Sequence, residues 1–311
     1  MKCLILIIVI TLSSHNLNAQ WKRMKPGLPN FTLEEVFFPS KDSGFVVGEG
    51  YIYITTNGGL KWSRQGAPAW FEPIRSVSFI SNNIGWYGGG SFHSMVLNTT
   101  NGGKNWSVQF QKSHGVSSIY FVNKTTGWVI GNDYNSGDSY IYKTSDGGNT
   151  WTEQQRQQDY VKSVFFSSDS VGWVVGDNGG IYTTTNSGVN WIRRKTKVVL
   201  HFKSIFAVSD TVAWAVGSHR YGGCYKTTDG GKSWNEQDLP SLAYLNSVYF
   251  STVDTGWIVG ERGIILNTTD GGKNWIQQIS NTKEDLNSVH FPNKNTGYIV
   301  GTHGILLKYK E

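Results

Sequence analysis

Tryptophan returns along this chain at a nearly constant interval, and that interval fixes most of what the chain can fold into. Trp62, Trp106, Trp151, Trp191, Trp234 and Trp275 are separated by 44, 45, 40, 43 and 41 residues. A second aromatic column, Phe45, Trp86, Trp128, Trp173, Trp214, Trp257 and Tyr298, keeps steps of 41 to 45 residues in phase with the first. The columns mark seven copies of one unit, and about 42 residues is the length of a four-stranded propeller blade. Repetition also explains how a chain of 311 residues can remain one domain. Each copy buries its apolar faces against the next instead of enlarging a single core.

The segments inside a unit are short and β-prone. In the sixth copy Leu245-Asn-Ser-Val-Tyr-Phe250, Gly256-Trp-Ile-Val-Gly260 and Gly263-Ile-Ile-Leu-Asn-Thr-Thr-Asp-Gly-Gly272 lead to Trp275. Each run is β-branched or aromatic and is bounded by Gly or polar turn residues. We denote the four strands a to d, with a nearest the axis. Charged residues, at 16%, are too few to cover a helical surface, while 14% aromatics supply a large core. The expected fold is therefore all-β: a single seven-bladed β-propeller of four-stranded antiparallel blades over residues 20–311. The seventh unit ends at Glu311 after strand c, and Trp21 lies 41 residues before Trp62. The N-terminal strand is thus expected to complete the last blade and close the ring, removing the exposed sheet edges.

Residues 1–19 read as a secretory signal peptide. Lys2 gives the positive start, Leu4 to Leu12 an apolar run of nine residues, and Leu17-Asn18-Ala19 a small-residue cleavage site before Gln20. Nine residues are too few to span a bilayer, which needs about 20, and no later stretch is apolar enough for a membrane span. The chain is expected to be secreted or periplasmic. Beyond the leader Cys224 is the one remaining thiol, which excludes an internal disulfide, a Cys-x-x-Cys redox pair and a Cys-rich metal site. Its strand c column otherwise holds Ile52, Val96, Ile141, Ile181, Ile265 and Leu306, so a core role is expected. The net charge of +6 is too small and too dispersed for nucleic acid. Neither a cofactor nor a metal is expected.

Strands c and d are joined by a recurrent turn: Thr55-Thr-Asn57-Gly-Gly59, Thr99-Thr-Asn101-Gly-Gly103, Thr144-Ser-Asp146-Gly-Gly148, Thr184-Thr-Asn186-Ser-Gly188, Thr227-Thr-Asp229-Gly-Gly231 and Thr268-Thr-Asp270-Gly-Gly272, each followed after two residues by Trp. Asp and Asn accept hydrogen bonds from turn amides, and Gly tolerates positive φ. These segments resemble Asp-boxes, also called bacterial neuraminidase repeats, of the form Ser/Thr-x-Asp-x-Gly-x-Thr-Trp; only Thr150 matches the seventh position. Together with Gly-Trp-x-Val-Gly, the unit resembles the photosystem II stability/assembly factor family of seven-bladed propellers over essentially all of residues 20–311. That resemblance implies a scaffold holding a newly made or incompletely assembled protein. It implies structural turns at the rim, and three of the six carry Asn in place of Asp.

Function is expected where the copies differ. In a propeller one face gathers the b-to-c and d-to-a connections, opposite the face of the c-to-d turns. The longest b-to-c connections carry Phe92 and His93, Asn132 to Asp138 with Tyr134, and His219, Arg220 and Tyr221. The d-to-a connections supply Trp70, Phe71, His114, Tyr160, Arg193, Arg194, Lys195, Lys197, His201 and Tyr244. His93, His114, His201, His219 and His303 all map to this face, and aromatic and Arg side chains suit recognition. The run Arg193 to His201 with His219, Arg220 and Tyr221 would suit an acidic peptide, phosphate or carboxylate. Among carboxylates Glu49, Asp177 and Glu261 share a repeat column that Gly90, Asn132, Ser218 and Thr302 also fill, which reads as turn chemistry. The expected protein is a non-catalytic binding scaffold with a protein client. The alternative is a glycan-binding or sialidase-like glycoside-hydrolysing propeller, favoured by Trp70, Tyr134, Tyr160, Tyr221 and Tyr244. The three-Arg cluster of sialidases has no counterpart, and xyloglucan hydrolases with similar repeats carry two propellers.

Overall fold

The computed structural model describes residues 21–25, 27–66, 73–90, 94–194, 196, 200–218 and 222–310. They form seven four-stranded antiparallel sheets in a ring, each sheet in chain order from the axis outward except one. The innermost strands are Glu35–Phe37, Ile74–Phe79, Gly115–Phe121, Val161–Phe166, His201–Ala207, Leu245–Phe250 and Leu286–Asn293. In the exceptional seventh blade, strand Trp21–Arg23 lies outside Leu306–Lys310, with Trp21 opposite Tyr309 and Arg23 opposite Leu307. The Met24 amide extends this pairing by donating to the Leu306 carbonyl at 2.8 Å. Closure by the N-terminus thus occurs in the expected register. Among the described residues helical structure is limited to two three-residue 3-10 turns, Glu261–Gly263 and Thr302–Gly304, and no helix is long and apolar enough to cross a membrane.

The two aromatic columns meet between blades. At six of the seven interfaces, the strand b aromatic of one blade stacks on a Phe at the end of strand a in the next. The pairs are Tyr298 on Phe38, Phe45 on Phe79, Trp86 on Phe121, Trp128 on Phe166, Trp214 on Phe250 and Trp257 on Phe291, with centroids 3.5–3.7 Å apart. The other face of each Phe lies on the Gly that opens its own strand b. A Cβ at Gly44, Gly85, Gly127, Gly172, Gly256 or Gly297 would come within 2.2–2.5 Å of the ring. The strand d Trp then closes the edge of the Phe at 83–89°. This Trp therefore reaches inward to the end of strand a. Edge-to-face and offset contacts of this kind contribute about 0.5–1.5 kcal/mol beyond the area buried.

The seventh interface is built differently. Blade five has Ala207 where the others have Phe and Ala213 where they have Gly, and the two are cross-strand partners. Both are buried beside Trp173 and Trp234. Removing the ring frees the space that a methyl group then fills. Cys224 is buried among Trp214, Val216 and Leu266, as its column implies.

Two stability outcomes follow from this packing. Trp21→Ala removes a fully buried side chain that also donates Nε1 to Gln278 at 2.8 Å. It should cost about 3–5 kcal/mol and lower the calorimetric melting temperature by roughly 10 °C; an unchanged melt would remove the closing strand from the account. Ala207→Phe alone should destabilise by about 1–3 kcal/mol through overpacking. Adding Ala213→Gly should restore stability, and a double variant no better than Ala207→Phe would contradict the ring-on-glycine pairing.

Candidate functional site

The recurrent c-to-d turns consume their polar groups internally. In each, the buried Thr Oγ1 accepts the N–H of the second Gly four residues on and donates to the Asx Oδ1, as Thr144 does for Gly148 and Asp146 at 2.8 Å each. The Asx Oδ1 also accepts the amide four residues later, from Lys61 for Asn57 and from Ser233 for Asp229, at 2.9 Å. Asn serves this geometry as well as Asp. Where Asp is present, its second oxygen takes Thr150 Oγ1, Ser233 Oγ or Asn274 Nδ2 at 2.6–2.7 Å. The second Gly is held at φ of 79–96°, and at Gly188 and Gly272 a Cβ would press within 2.9 Å of the preceding blade's Trp128 or Trp214 Nε1. These turns lock the rim, with both oxygens of each Asp engaged inside its own turn.

On the opposite face the b-to-c turns are tied to the start of strand a. The amides of Asp177, Glu261 and Thr302 donate to the carbonyls of Tyr160, Tyr244 and Asp285 at 2.8–2.9 Å. The acidic column sits at this junction. Glu49 accepts the Thr32 amide at 3.3 Å, while Asp177 holds Lys162 at 2.5 Å and His201 at 2.9 Å. The basic loop is likewise partly self-neutralised. Arg193 Nε donates to Asp159 Oδ2 at 2.9 Å, where Tyr182 also donates at 2.5 Å, and Arg194 Nε donates to Thr183 Oγ1 at 2.7 Å. Tyr134 and Tyr160 lie with ring centroids 5.9 Å apart, and Tyr134 and Tyr244 are exposed. His303 is also exposed and pairs with Glu284 at 2.6 Å. Trp70, Phe71, His93, Lys195, Lys197, His219, Arg220 and Tyr221 lie outside the described residues.

One expected surface group is corrected. His114 is buried, stacks on Tyr140 at 4.7 Å and lies 3.0 Å from the Tyr142 hydroxyl. Burial holds its pKa below the usual imidazole value. Strand β-pairing begins at Gly115, directly after it, so the ring is drawn under the outer strands of blade three.

The sequence reading missed the axis. Strand a carries a repeated Ser-aliphatic-aromatic triplet, and the triplets, all but Ser76 of blade two, line a central cavity of about 320 Å³. The first position is Ser76, Ser118, Ser163, Ser204, Ser247 or Ser288 in six blades and Glu35 in blade one. These groups stitch neighbouring blades: Ile119 N–H donates to Ser76, Val164 to Ser118, Val248 to Ser204, Val289 to Ser247 and Val36 to Ser288, at 3.1–3.4 Å. Val77 N–H donates to Glu35 Oε2 at 2.7 Å. Burial raises the Glu35 pKa to about 7, against the lowering effect of the Val77 amide and Ser76 hydroxyl.

The third position forms an aromatic collar. Ring centroids run from Phe37 to His290 at 4.6 Å, His290 to Tyr249 at 5.0 Å, Tyr249 to Phe206 at 4.7 Å, Phe206 to Phe165 at 4.7 Å and Phe165 to Tyr120 at 4.8 Å. Ser78 in blade two interrupts it. Burial lowers the His290 pKa to about 3, so its imidazole is neutral. Towards the loop face, the residues just before the Ser ring include Glu34, Arg75, Lys162 and Lys203. Lys203 donates to Asn246 Oδ1 at 2.7 Å, and Asn246 in turn donates to the Leu286 carbonyl at 2.9 Å. A broader, open depression of about 700 Å³ beside blade six is lined by Arg262 and the 277–283 connection; it gathers no comparable set of groups. The triplet was visible in the sequence as Ser every 41 to 45 residues, but Trp and Gly drew attention to the rim.

The sequence model of a family described as photosynthesis system II assembly factor YCF48 matches residues 107–238 and 195–283. No curated protein matches the chain. Among solved structures, one described as YCF48 bound to D1 peptide superposes with a TM-score of 0.77 at 21% identity, covering 94% of this chain and 97% of that one. YCF48 from Cyanidioschyzon merolae gives 0.75 at 20% identity, covering 93% and 98%. A GH74 xyloglucanase from Xanthomonas campestris gives 0.72 at 14% identity, covering 94% of this chain and 54% of that one. At these identities the superpositions establish the fold.

The rim carboxylates generate a pH outcome. Hydrogen bonds from Ser233 and Asn274 pull Asp229 and Asp270 down to about 2, and Thr150 lowers Asp146. A carboxylate depressed by folding stabilises above its unfolded value of about 3.9 and loses that contribution as pH falls towards the folded value. Asp229→Asn with Asp270→Asn should therefore flatten the fall in urea-unfolding stability between pH 4 and pH 2. An identical slope in the two proteins would contradict the assignment.

Proposed function

The chain belongs to the photosynthesis system II assembly factor YCF48 family, and from that premise we propose that it is an exported scaffold that holds a protein client on the loop face. The observation that carries this reading is a full-length structural likeness to a relative described as bound to a peptide. The face itself supports it. Tyr134 and Tyr244 are exposed, Tyr160 stands beside Tyr134, and Arg193 and His201 are steadied by Asp159 and Asp177. Ordered aromatic and Arg side chains are the groups that dominate protein interfaces, because little entropy is lost when they are covered. Since Asp159 and Asp177 offset part of the basic charge, the proposed client is read by stacking and hydrogen bonds as much as by its acidity.

A rigid ring suits this task. Loops on such a scaffold can present a fixed contact surface without the scaffold rearranging. On this proposal residues 1–19 are removed and the exported chain begins at Gln20. Tagged protein recovered from the native envelope fraction, with that N-terminus, should carry a client. Tyr160→Ala with Tyr244→Ala should reduce its recovery at least tenfold while leaving the melt unchanged. Reversal of Arg193 and Arg194 to Glu tests the acidic component in the same assay. Undiminished recovery by all variants would remove this face, and binding on a glycan array with no protein client would favour the carbohydrate alternative.

A further inference from the structure

The axial cavity departs from its own repeat in two places, and both departures lie on the same side. In six blades a Ser at the first triplet position provides the inter-blade contact or fills the equivalent place. A Ser in blade one would supply an acceptor for Val77 N–H equally well, so ring closure does not require a carboxylate there. Glu35 adds a negative charge and a longer reach. Its Oε2 takes Val77 N–H from blade two and the Ser76 hydroxyl also donates to the carboxylate, which with about four acceptor sites keeps capacity towards the cavity. The second departure is Ser78, also in blade two, where every other blade places an aromatic ring in the collar. Its Oγ accepts the Phe121 amide at 3.1 Å. The opening in the collar and the carboxylate thus adjoin.

We propose that this cavity binds an organic ammonium ion, with Glu35 as its counter-ion, the collar as its wall and the Ser78 gap as the place for its substituent. The chemistry selects this class. Among the described residues lining the cavity, Glu35 is the one group that titrates near neutral pH, and a bound cation would hold it as the carboxylate. His290 is neutral, and burial pushes the Tyr120 and Tyr249 hydroxyls up to about 12. An anion would meet repulsion. A bare metal ion would find one carboxylate, with the neighbouring Ser oxygens already accepting backbone N–H groups. An alkylammonium gains from both the carboxylate and the negative faces of aromatic rings, a combination strengthened by exclusion of water. A volume of about 320 Å³ lies at the small end of ligand sites, which span roughly 300–1,000 Å³. The inference concerns the axis and does not rest on the client reading of the loop face.

Ammonium groups occur on free metabolites and on lysine side chains, so the test uses both. The full exported chain is titrated calorimetrically with choline, with Nα-acetyl-lysine amide, and with 3,3-dimethyl-1-butanol, the neutral carbon isostere of choline. At least one ammonium should bind saturably at one site, with the neutral isostere at least tenfold weaker. Tighter binding of choline assigns the site to a free quaternary ammonium, and tighter binding of the lysine analogue to a protein side chain. Glu35→Gln keeps an acceptor for Val77 N–H and should weaken the ammonium at least tenfold. Ser78→Phe completes the collar and should block binding. Both variants are checked by their melts, and unaltered wild-type affinity in a folded Glu35→Gln protein would overturn the proposal. Equal binding of choline and its isostere, or no saturable binding of either ammonium, would do the same.

Discussion

The fold depends on a three-part aromatic contact repeated around the ring: a strand b aromatic from one blade, a Phe at the end of strand a in the next, and the Gly beneath that Phe. The Phe cannot lie flat unless the Gly lacks a side chain, and the neighbouring aromatic cannot stack unless the Phe lies flat. The sheet-to-sheet distance is therefore set by ring thickness, at centroid separations of 3.5–3.7 Å. Aliphatic side chains tolerate repacking through many rotamers, whereas flat rings over glycine permit one spacing. Blade five shows the rule by changing both members together, to Ala207 and Ala213.

Polar groups follow the same economy. On the rim, Thr and Asx side chains satisfy turn amides that no strand can reach; at the axis, Ser hydroxyls do the same across blade boundaries. Each blade contributes donors that only its neighbour can satisfy, so the ring is cooperative in hydrogen bonding as well as in packing. On the loop face the balance is different. Arg193 meets Asp159 and Lys162 meets Asp177, pairs that fix side-chain direction across that face.

Much of this was legible in the primary structure. Two aromatic columns and the Thr-x-Asx turns specified blade number, strand order and closure through Trp21, because those residues answer to short-range geometry that recurs in every copy. Fine detail at the variable face was less legible. That Arg193 reaches Asp159 depends on the turn that brings residues 34 positions apart together, and that His114 turns inward depends on where its strand begins. The axial residues were hidden for a different reason. Ser is common in turns and on surfaces, so a Ser column carries little signal until its strand is known to face the axis. Glu35 becomes conspicuous only against that column.

Closure through Trp21 has a consequence for the order of events in folding. The strand made first pairs with the strand made last, across a separation of 288 residues between Trp21 and Tyr309. Six blades can be assembled as the chain lengthens, each from consecutive strands, but the seventh waits for the C-terminal segment. Contacts of such long sequence separation form late and slowly. A chain cut short by early termination would therefore keep an unsealed seam with Tyr298 and Trp257 lacking part of their cover, a surface that proteolytic surveillance can recognise.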